Sequence, residues 1–374
     1  MLTRIYIDNF KCFSNLELSL GPLQLLLGPN GTGKSSVLEV IAGLQMLLMG
    51  RASTRIGRSH TRWENRTRQT FEIDVLRPPD RAVFRYHLEL ESDHDSKQKI
   101  KVAVESLTRD KDVIYRSTSG AAELSVGGTW QRALVDETAS GLPILPEGNE
   151  SLDWFRLFVS RMIILRPSPM NMGATPSKEE DGYLQRDGSN FVNWYRGLEP
   201  QQLFEDKQRL HDKLREALPG FESLRLLKMG EQERVLSTMW RTDPGAESAK
   251  YELGFGELSD GQRMLLLLYT LVTFSTSPGN GPVTLLLDEP ANFVSLREVQ
   301  PWLRELEERV EDGKLQSIVV SHNPEILDAW AGAYGIRFDR NAAGPTRADR
   351  FDVDADDPLT PSERIARGWD DEHA

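Results

Sequence analysis

The chain opens on alternation. Residues 2–10 (Leu-Thr-Arg-Ile-Tyr-Ile-Asp-Asn-Phe) alternate apolar and polar side chains, the period of a half-buried strand, and Leu16, Leu18 and Leu20 repeat it in a second strand. Gly21-Pro22 breaks the pattern. Leu23 to Leu27 then form a short apolar run, which predicts a central parallel strand covered on both faces. A helix should follow, with Val37, Leu38, Ile41, Leu44, Leu47 and Leu48 along its buried side. From about 70 to 135 the apolar runs 71–76, 83–90, 100–107 and 113–115 are parted by polar turns, which predicts an antiparallel meander. Residues 136–150 and 166–190, rich in Pro, Gly and Ser, read as loops around a helix at about 151–162. A second helix is expected at about 199–217, ending at Pro219-Gly220, and a hairpin over 224–240 with its turn near Gly230. Met264–Phe274 reads as a buried helix, Leu296–Arg309 as an amphipathic one, and a further helix should start near Pro324. Beyond about 340 the chain turns polar and acidic and is expected to be mobile.

Length and charge narrow the field. A chain of 374 residues has room for one large domain or two smaller ones. A net charge of -12 is at odds with a surface built throughout to grip nucleic acid, so any such contact must be a local patch. Cys12 is the only cysteine, which excludes an intramolecular disulfide and suits a reducing, cytoplasmic setting. No apolar run approaches the ~20 residues that cross a bilayer. The N-terminus reads as a first strand and not as a signal peptide, so membrane insertion is not expected.

Four motifs carry the chemistry. Gly28-Pro-Asn-Gly-Thr-Gly-Lys-Ser35 lies between an apolar strand and a helix, the context a phosphate-binding loop needs. Its candidate nucleotide-binding residues are Asn30, Gly31, Thr32, Gly33, Lys34, Ser35 and Ser36. Backbone N–H groups and the helix N-terminus favour phosphate oxygens, Lys34 can reach the outer phosphates, and Ser35 can hold Mg²⁺. Leu258-Ser-Asp-Gly-Gln262 precedes the buried helix. Thr284–Pro290 is an apolar strand ending in Asp288, suited to Mg²⁺, and Glu289, suited to a base for the attacking water. His322 follows the apolar run Ser317–Val320 and either senses the γ-phosphate, holds the water, or serves structure alone.

Taken together, these residues and Ile5–Phe13 resemble an ABC-type ATPase head of the RecF/SMC class. They resemble more closely the compact soluble ATPases of bacterial defence and overcoming-lysogenization-defect (OLD) type systems. The resemblance covers about residues 1–340. It implies an α/β P-loop ABC-type ATPase head, with an antiparallel β meander and a helical signature lobe. The nucleotide-binding core would be 1–50 and 250–340, the β subdomain 70–135, the helical and hairpin lobe 150–250, and the acidic tail 341–374. It further implies that Ser259, Gly261 and Gln262 contact the γ-phosphate held by a second protomer, although Ser259 is equally a good helix N-cap. Gln69 resembles the glutamine that links Mg²⁺ to conformational change; the alternative is an ordinary exposed glutamine. Asp260 and Ser295 depart from the transporter pattern, which has glycine and aspartate there.

Two features fall outside the motif set. Arg51, Arg55, Arg58, Arg62 and Arg66 recur at intervals of three or four and would share one face if helical, though Gly57 opposes a helix. They touch nucleic-acid phosphates, dock an acidic partner, or form a solvated face. The tail Asp352–Asp357 with Glu363 has a Ca²⁺-loop spacing but lacks the needed glycine. A docking tail with a short helix at Ser362–Trp369 fits it better. The expected function is a cytoplasmic ATPase using ATP and Mg²⁺, a homodimer or higher homo-oligomer. It would sense or clamp nucleic acid, DNA being one candidate, and control a separately encoded effector, such as a nuclease, in phage defence. The alternatives are a RecF-type DNA-repair ATPase and the ATP-binding subunit of a transporter.

Overall fold

The computed structural model describes residues 1–51, 54–78, 80–92, 99–242, 249–276, 282–352 and 358–367. They fall into two compact units, Met1–Met162 with Trp330–Ala374, and Ile163–Ala329.

In chain order the first unit begins with β1 (Leu2–Asp8), β2 (Leu16–Ser19), β3 (Leu23–Leu27) and α1 (Lys34–Leu48). It continues through β4 (Arg68–Leu76), β5 (Val83–Ser92), β6 (Ile100–Arg109), β7 (Asp112–Thr118), β8 (Ala121–Val126), β9 (Thr129–Leu134) and α2 (Glu150–Arg161). Eight strands form one sheet in the order β2-β1-β4-β5-β6-β7-β8-β9. The meander is present, and it is larger than expected: β1 joins it, with Ile5 opposite Leu18 on one side and Ile73 on the other. Alternation decides which face is covered, since Ile5, Ile7, Phe71, Ile73, Phe84 and Tyr86 are all fully buried. α2 packs aromatic side chains on that sheet, with Trp154 4.7 Å and Phe155 6.4 Å from the Phe84 ring. Burying each such ring is worth about 1.5–3 kcal/mol. Asn149 starts α2 by accepting from the Ser151 and Leu152 N–H groups.

A buried carboxylate lies in the same sheet. Glu105 accepts from the Tyr86 and Tyr115 hydroxyls at 2.8 Å each, from the Ser140 hydroxyl, and from the Gly141 N–H at 3.0 Å. Burial pushes its pKa up, against the pull of those donors. The bonds fasten the segment around Ser140 to the sheet.

The second unit begins with β10 (Ile163–Leu165), α3 (Phe191–Leu198), α4 (Phe204–Ala217), β11 (Phe221–Met229), β12 (Glu233–Arg241) and β13 (Lys250–Gly254). Next come α5 (Asp260–Ser275), β14 (Val283–Asp288), α6 (Leu296–Glu311) and β15 (Leu315–Val320). β14 runs parallel between β10 and β15, with Leu286 opposite both Ile164 and Ile318. Every residue of β14 and β15 is buried, as their apolar sequences require. The hairpin β11–β12 gains a third strand, β13. The helix expected at 199–217 begins only at Phe204, and the segment before it holds the separate helix α3.

α7 (Pro324–Tyr334) leads the chain back to β16 (Gly335–Arg340), β17 (Thr346–Arg350) and α8 (Pro361–Arg367) in the first unit. β16 pairs in parallel with β3 and antiparallel with β17. The expectation of a mobile chain beyond 340 is therefore corrected: β17 is a paired strand and Phe351 is buried. Residues 353–357 of the tail spacing, and 368–374 beyond α8, lie outside the described residues.

The arginine stretch also differs from a helical reading. Among the described residues of the stretch only Thr54–Arg58 is helical, as one short 3-10 segment, and the chain then runs without helix into β4. Gly57 seats this segment against the sheet. Its Cα approaches Ile100 and Leu90 so closely that a Cβ would lie 2.8 and 3.0 Å from their side chains.

Candidate nucleotide site

The phosphate loop is shaped by three glycines with positive φ: Gly28 at 130°, Gly31 at 81° and Gly33 at 101°. Each meets a different neighbour. A Cβ on Gly28 would stand 2.1 Å from the Phe338 carbonyl oxygen of β16. One on Gly33 would stand 2.6 Å from Cys12 Sγ and 2.7 Å from the Phe13 ring. Gly31 sits on the exposed crest beside Pro29 and Asn30, with nothing within 4 Å of such an atom. Lys34 is buried and its ammonium donates to the carbonyls of Gly28 and Pro29, each at 2.7 Å. Thr32 is pinned from both sides: its hydroxyl donates to Pro29 O at 2.9 Å, and its carbonyl accepts from the Thr346 hydroxyl at 2.7 Å.

α1 starts at Gly33 with no side-chain cap and no acidic residue in its first turn. An uncapped, 15-residue helix whose first turn carries Lys34, Ser35 and Ser36 fits an anionic phosphate chain. The donor set therefore suits ATP with its Mg²⁺, with Ser35 placed at the loop end for the metal.

The carboxylates belong to the second unit. Asp288 is the last residue of β14 and 1% exposed, with Arg166 Nε 3.8 Å from its Oδ2. No local pattern singles out Arg166, because its partner is more than a hundred residues away. Glu289 has φ of 54°, a conformation that costs an L residue roughly 1 kcal/mol or more. Its N–H continues the ladder by donating to Val320 O at 2.8 Å. Its carboxylate faces His322, with Oε2 accepting from the His322 N–H at 3.3 Å and Oε1 3.7 Å from Nε2. His322 is 40% exposed. The turn that presents it is held by Ser321, whose hydroxyl accepts from Asn323 N–H at 3.0 Å, and Asn323 in turn accepts from Glu325 N–H at 3.0 Å. The structure thus brings two predicted residues, Glu289 and His322, into one cluster.

Ser259 is the N-cap of α5 within a capping box: its hydroxyl accepts from Gln262 N–H at 3.3 Å, and Gln262 Oε1 accepts from Ser259 N–H at 2.9 Å. Ser259 and Asp260 are exposed at the helix start. A Cβ on Gly261 would stand 2.9 Å from Phe293 O. Ser295, the departure from aspartate, stands at the start of α6, where its hydroxyl and its N–H both donate to Glu298 Oε2, at 2.7 and 3.4 Å.

Gln69 lies inside β4 and is fully buried, so it is not an ordinary exposed glutamine. Its Nε2 donates to Asn9 O at 2.7 Å, and its Oε1, with no hydrogen-bond partner, faces Gly57. Of the arginines, Arg58 and Arg62 are exposed, and Arg51 is exposed with contacts of its own. Arg66 grips Asp8 with two bonds of 2.5 and 2.9 Å and also pairs with Glu64. The Arg55 side chain lies outside what is described. The five do not form one helical face. Among the described residues no group of three or more His, Cys, Asp or Glu could hold a metal ion, and no helix is long and apolar enough to cross a membrane.

The fold is that of an ABC-type ATPase head. Over 93% of its length the chain is similar to an SMC head solved bound to the C-winged helix domain of ScpA, covering 97% of that chain at a TM-score of 0.55 and 12% identity. A family model for an AAA ATPase domain matches residues 1–108. A stretch of 41 residues is 46% identical to the OLD nuclease of Thermus scotoductus. That stretch is 11% of this chain and 8% of the relative. The chain is thus similar in fold to an SMC head, matches an AAA ATPase domain over its first 108 residues, and carries a short stretch similar to an OLD nuclease.

Proposed function

We propose that the chain binds ATP with Mg²⁺ through residues 30–36 and hydrolyses it with Glu289 as base. Asp288 and Ser35 hold the metal, Gln69 couples it to conformational change, and His322 orients Glu289 or the water. The observation that carries the reading is the pairing of Glu289 with His322 at the end of β14, on a residue held at positive φ. Backbone strain of this kind persists where the surrounding structure fixes it, often at reacting sites. ATP then joins two copies, because Ser259 and Gly261 lie exposed or half-exposed at the start of α5, where a helix N-terminus meets phosphate. Gln262 takes part only if it releases Ser259 N–H. The short likeness to an OLD nuclease supports a role in controlling a nuclease or other effector in phage defence, and exposed Arg58 and Arg62 support contact with DNA.

The test is Glu289→Gln against Lys34→Ala. Glu289→Gln should bind ATP, lose at least ~100-fold in turnover, and accumulate as an ATP-bound dimer by light scattering. Lys34→Ala should neither bind nor dimerise. A Glu289→Gln protein that hydrolyses ATP at the wild-type rate would remove Glu289 from the mechanism.

A further inference from the structure

We propose that Trp63 and Arg340 form the nucleobase platform of the nucleotide site, with the indole stacking on a purine; this rests on reading Gly28–Ser36 as the phosphate loop. The Arg340 guanidinium lies 5.2 Å from the centre of the Trp63 ring, and Trp63 is 44% exposed. Both residues are tied to the phosphate loop by independent routes within the first unit.

Arg340 comes from β16, two residues after Phe338, whose carbonyl abuts Gly28. Its cross-strand partner is Thr346, the residue that donates to Thr32 O inside the loop. Its guanidinium is fixed by Gly344 O at 2.6 Å and Ala343 O at 2.9 Å. On the other route, the Thr61 hydroxyl donates to Phe13 O at 3.0 Å and the Ser14 hydroxyl to Glu64 Oε1 at 2.6 Å. Residues 61–64 are thus seated on Phe13 and Ser14, and the Phe13 ring underlies Gly33. An aromatic side chain whose neighbours Thr61 and Glu64 are anchored to the segment under a phosphate loop, with its ring on a fixed cation, is preorganised to take a flat ligand.

The chemistry favours a purine nucleoside triphosphate. Every base offers a π-face, purines the larger one, and stacking on an aromatic side chain contributes about 1–3 kcal/mol by alanine substitution, a factor of roughly 5 to 100 in Kd. An indole carrying a guanidinium on one side leaves its other face for the base.

The experiment measures Kd for Mg-ATP, Mg-CTP and Mg-tripolyphosphate by calorimetry on the full chain, wild type, Trp63→Ala and Trp63→Phe. Wild type should prefer ATP to CTP. Trp63→Ala should weaken ATP roughly tenfold and leave tripolyphosphate unchanged, with Trp63→Phe restoring most of the loss. Equal weakening of ATP and tripolyphosphate would make Trp63 a support of the loop and overturn the platform. Unchanged ATP binding with lost single-stranded DNA binding would overturn it too, and assign the residue to nucleic acid. If wild type binds neither ATP nor tripolyphosphate, the phosphate-loop reading itself falls; if it binds both and Trp63→Ala binds ATP equally, only the platform falls.

Discussion

Replacing Gly28 with alanine should cost far more than the same change at Gly31, three residues along the same loop. Both have positive φ, so both alanines bear backbone strain of about 1–2 kcal/mol, partly offset by about 0.4–1 kcal/mol from a stiffer unfolded chain. At Gly31 the account ends there, since the new methyl meets nothing within 4 Å. At Gly28 it would stand 2.1 Å from Phe338 O, an atom of backbone. β3 and β16 pair up to Leu27 and Arg337, so Phe338 is the next step of that ladder and cannot retreat without opening it. Overpacking of this kind costs a further ~1–3 kcal/mol. Net losses are about 0.5–1 kcal/mol at Gly31 and about 2–4 kcal/mol at Gly28. For a folding unit of roughly 200 residues the second is a fall in Tm near 10 °C, the first a few degrees. Urea titration and thermal melts of Gly28→Ala and Gly31→Ala without nucleotide would measure both. Equal losses would refute the claim that contact with β16, and not φ alone, fixes this glycine.

Glu105→Ala should leave the Tyr86, Tyr115, Ser140 and Gly141 donors without their acceptor and cost about 3 kcal/mol or more, read as a lower urea midpoint; a loss under ~1 kcal/mol would mean water replaces the carboxylate. On the exposed side of the sheet, the hydrogen bond to Glu72 raises the His87 pKa above 6.5, and the same bond, with help from Arg4, lowers Glu72 from 4.5 to about 2. The His87 contribution is complete below 6.5 and fades as pH rises through the raised value, whereas that of Glu72 is complete above 4.5 and fades as pH falls towards 2. His87→Gln should therefore flatten the loss of stability on the alkaline side of 6.5, measured as urea midpoint against pH, and an unchanged slope would exclude the pair as its source.

Local chemistry made much of the fold legible. β3, β14 and β15 announce themselves by apolar runs, and the Ser259–Gln262 box marks the start of α5 within its own four residues. What stayed hidden depends on partners distant in sequence. β17 is polar because it is the edge strand of its sheet, beside β16, so composition alone reads it as tail. The spacing of the arginines looked helical, but Arg66 answers to Asp8 and Arg68 to Glu89, which no local pattern reveals.

Glu105 shows the same limit within a single strand. Counting alternate positions from Ile100 and Val102 would send residue 105 to the open face. Between Val102, opposite Leu90, and Val104, opposite Glu89, the strand carries one extra residue, Ala103. That bulge reverses the parity, turns Glu105 inward beside Leu107, and places a carboxylate among two tyrosines. A bulge is a property of two strands, and one strand's sequence holds only half of it. The candidate site divides along the same line. Lys34, Asp288, Glu289 and His322 are readable because each ends or begins an element whose own sequence defines it. Arg166, Trp63 and Arg340 are readable only after β14 has found Arg166 and β16 has carried Arg340 over the indole.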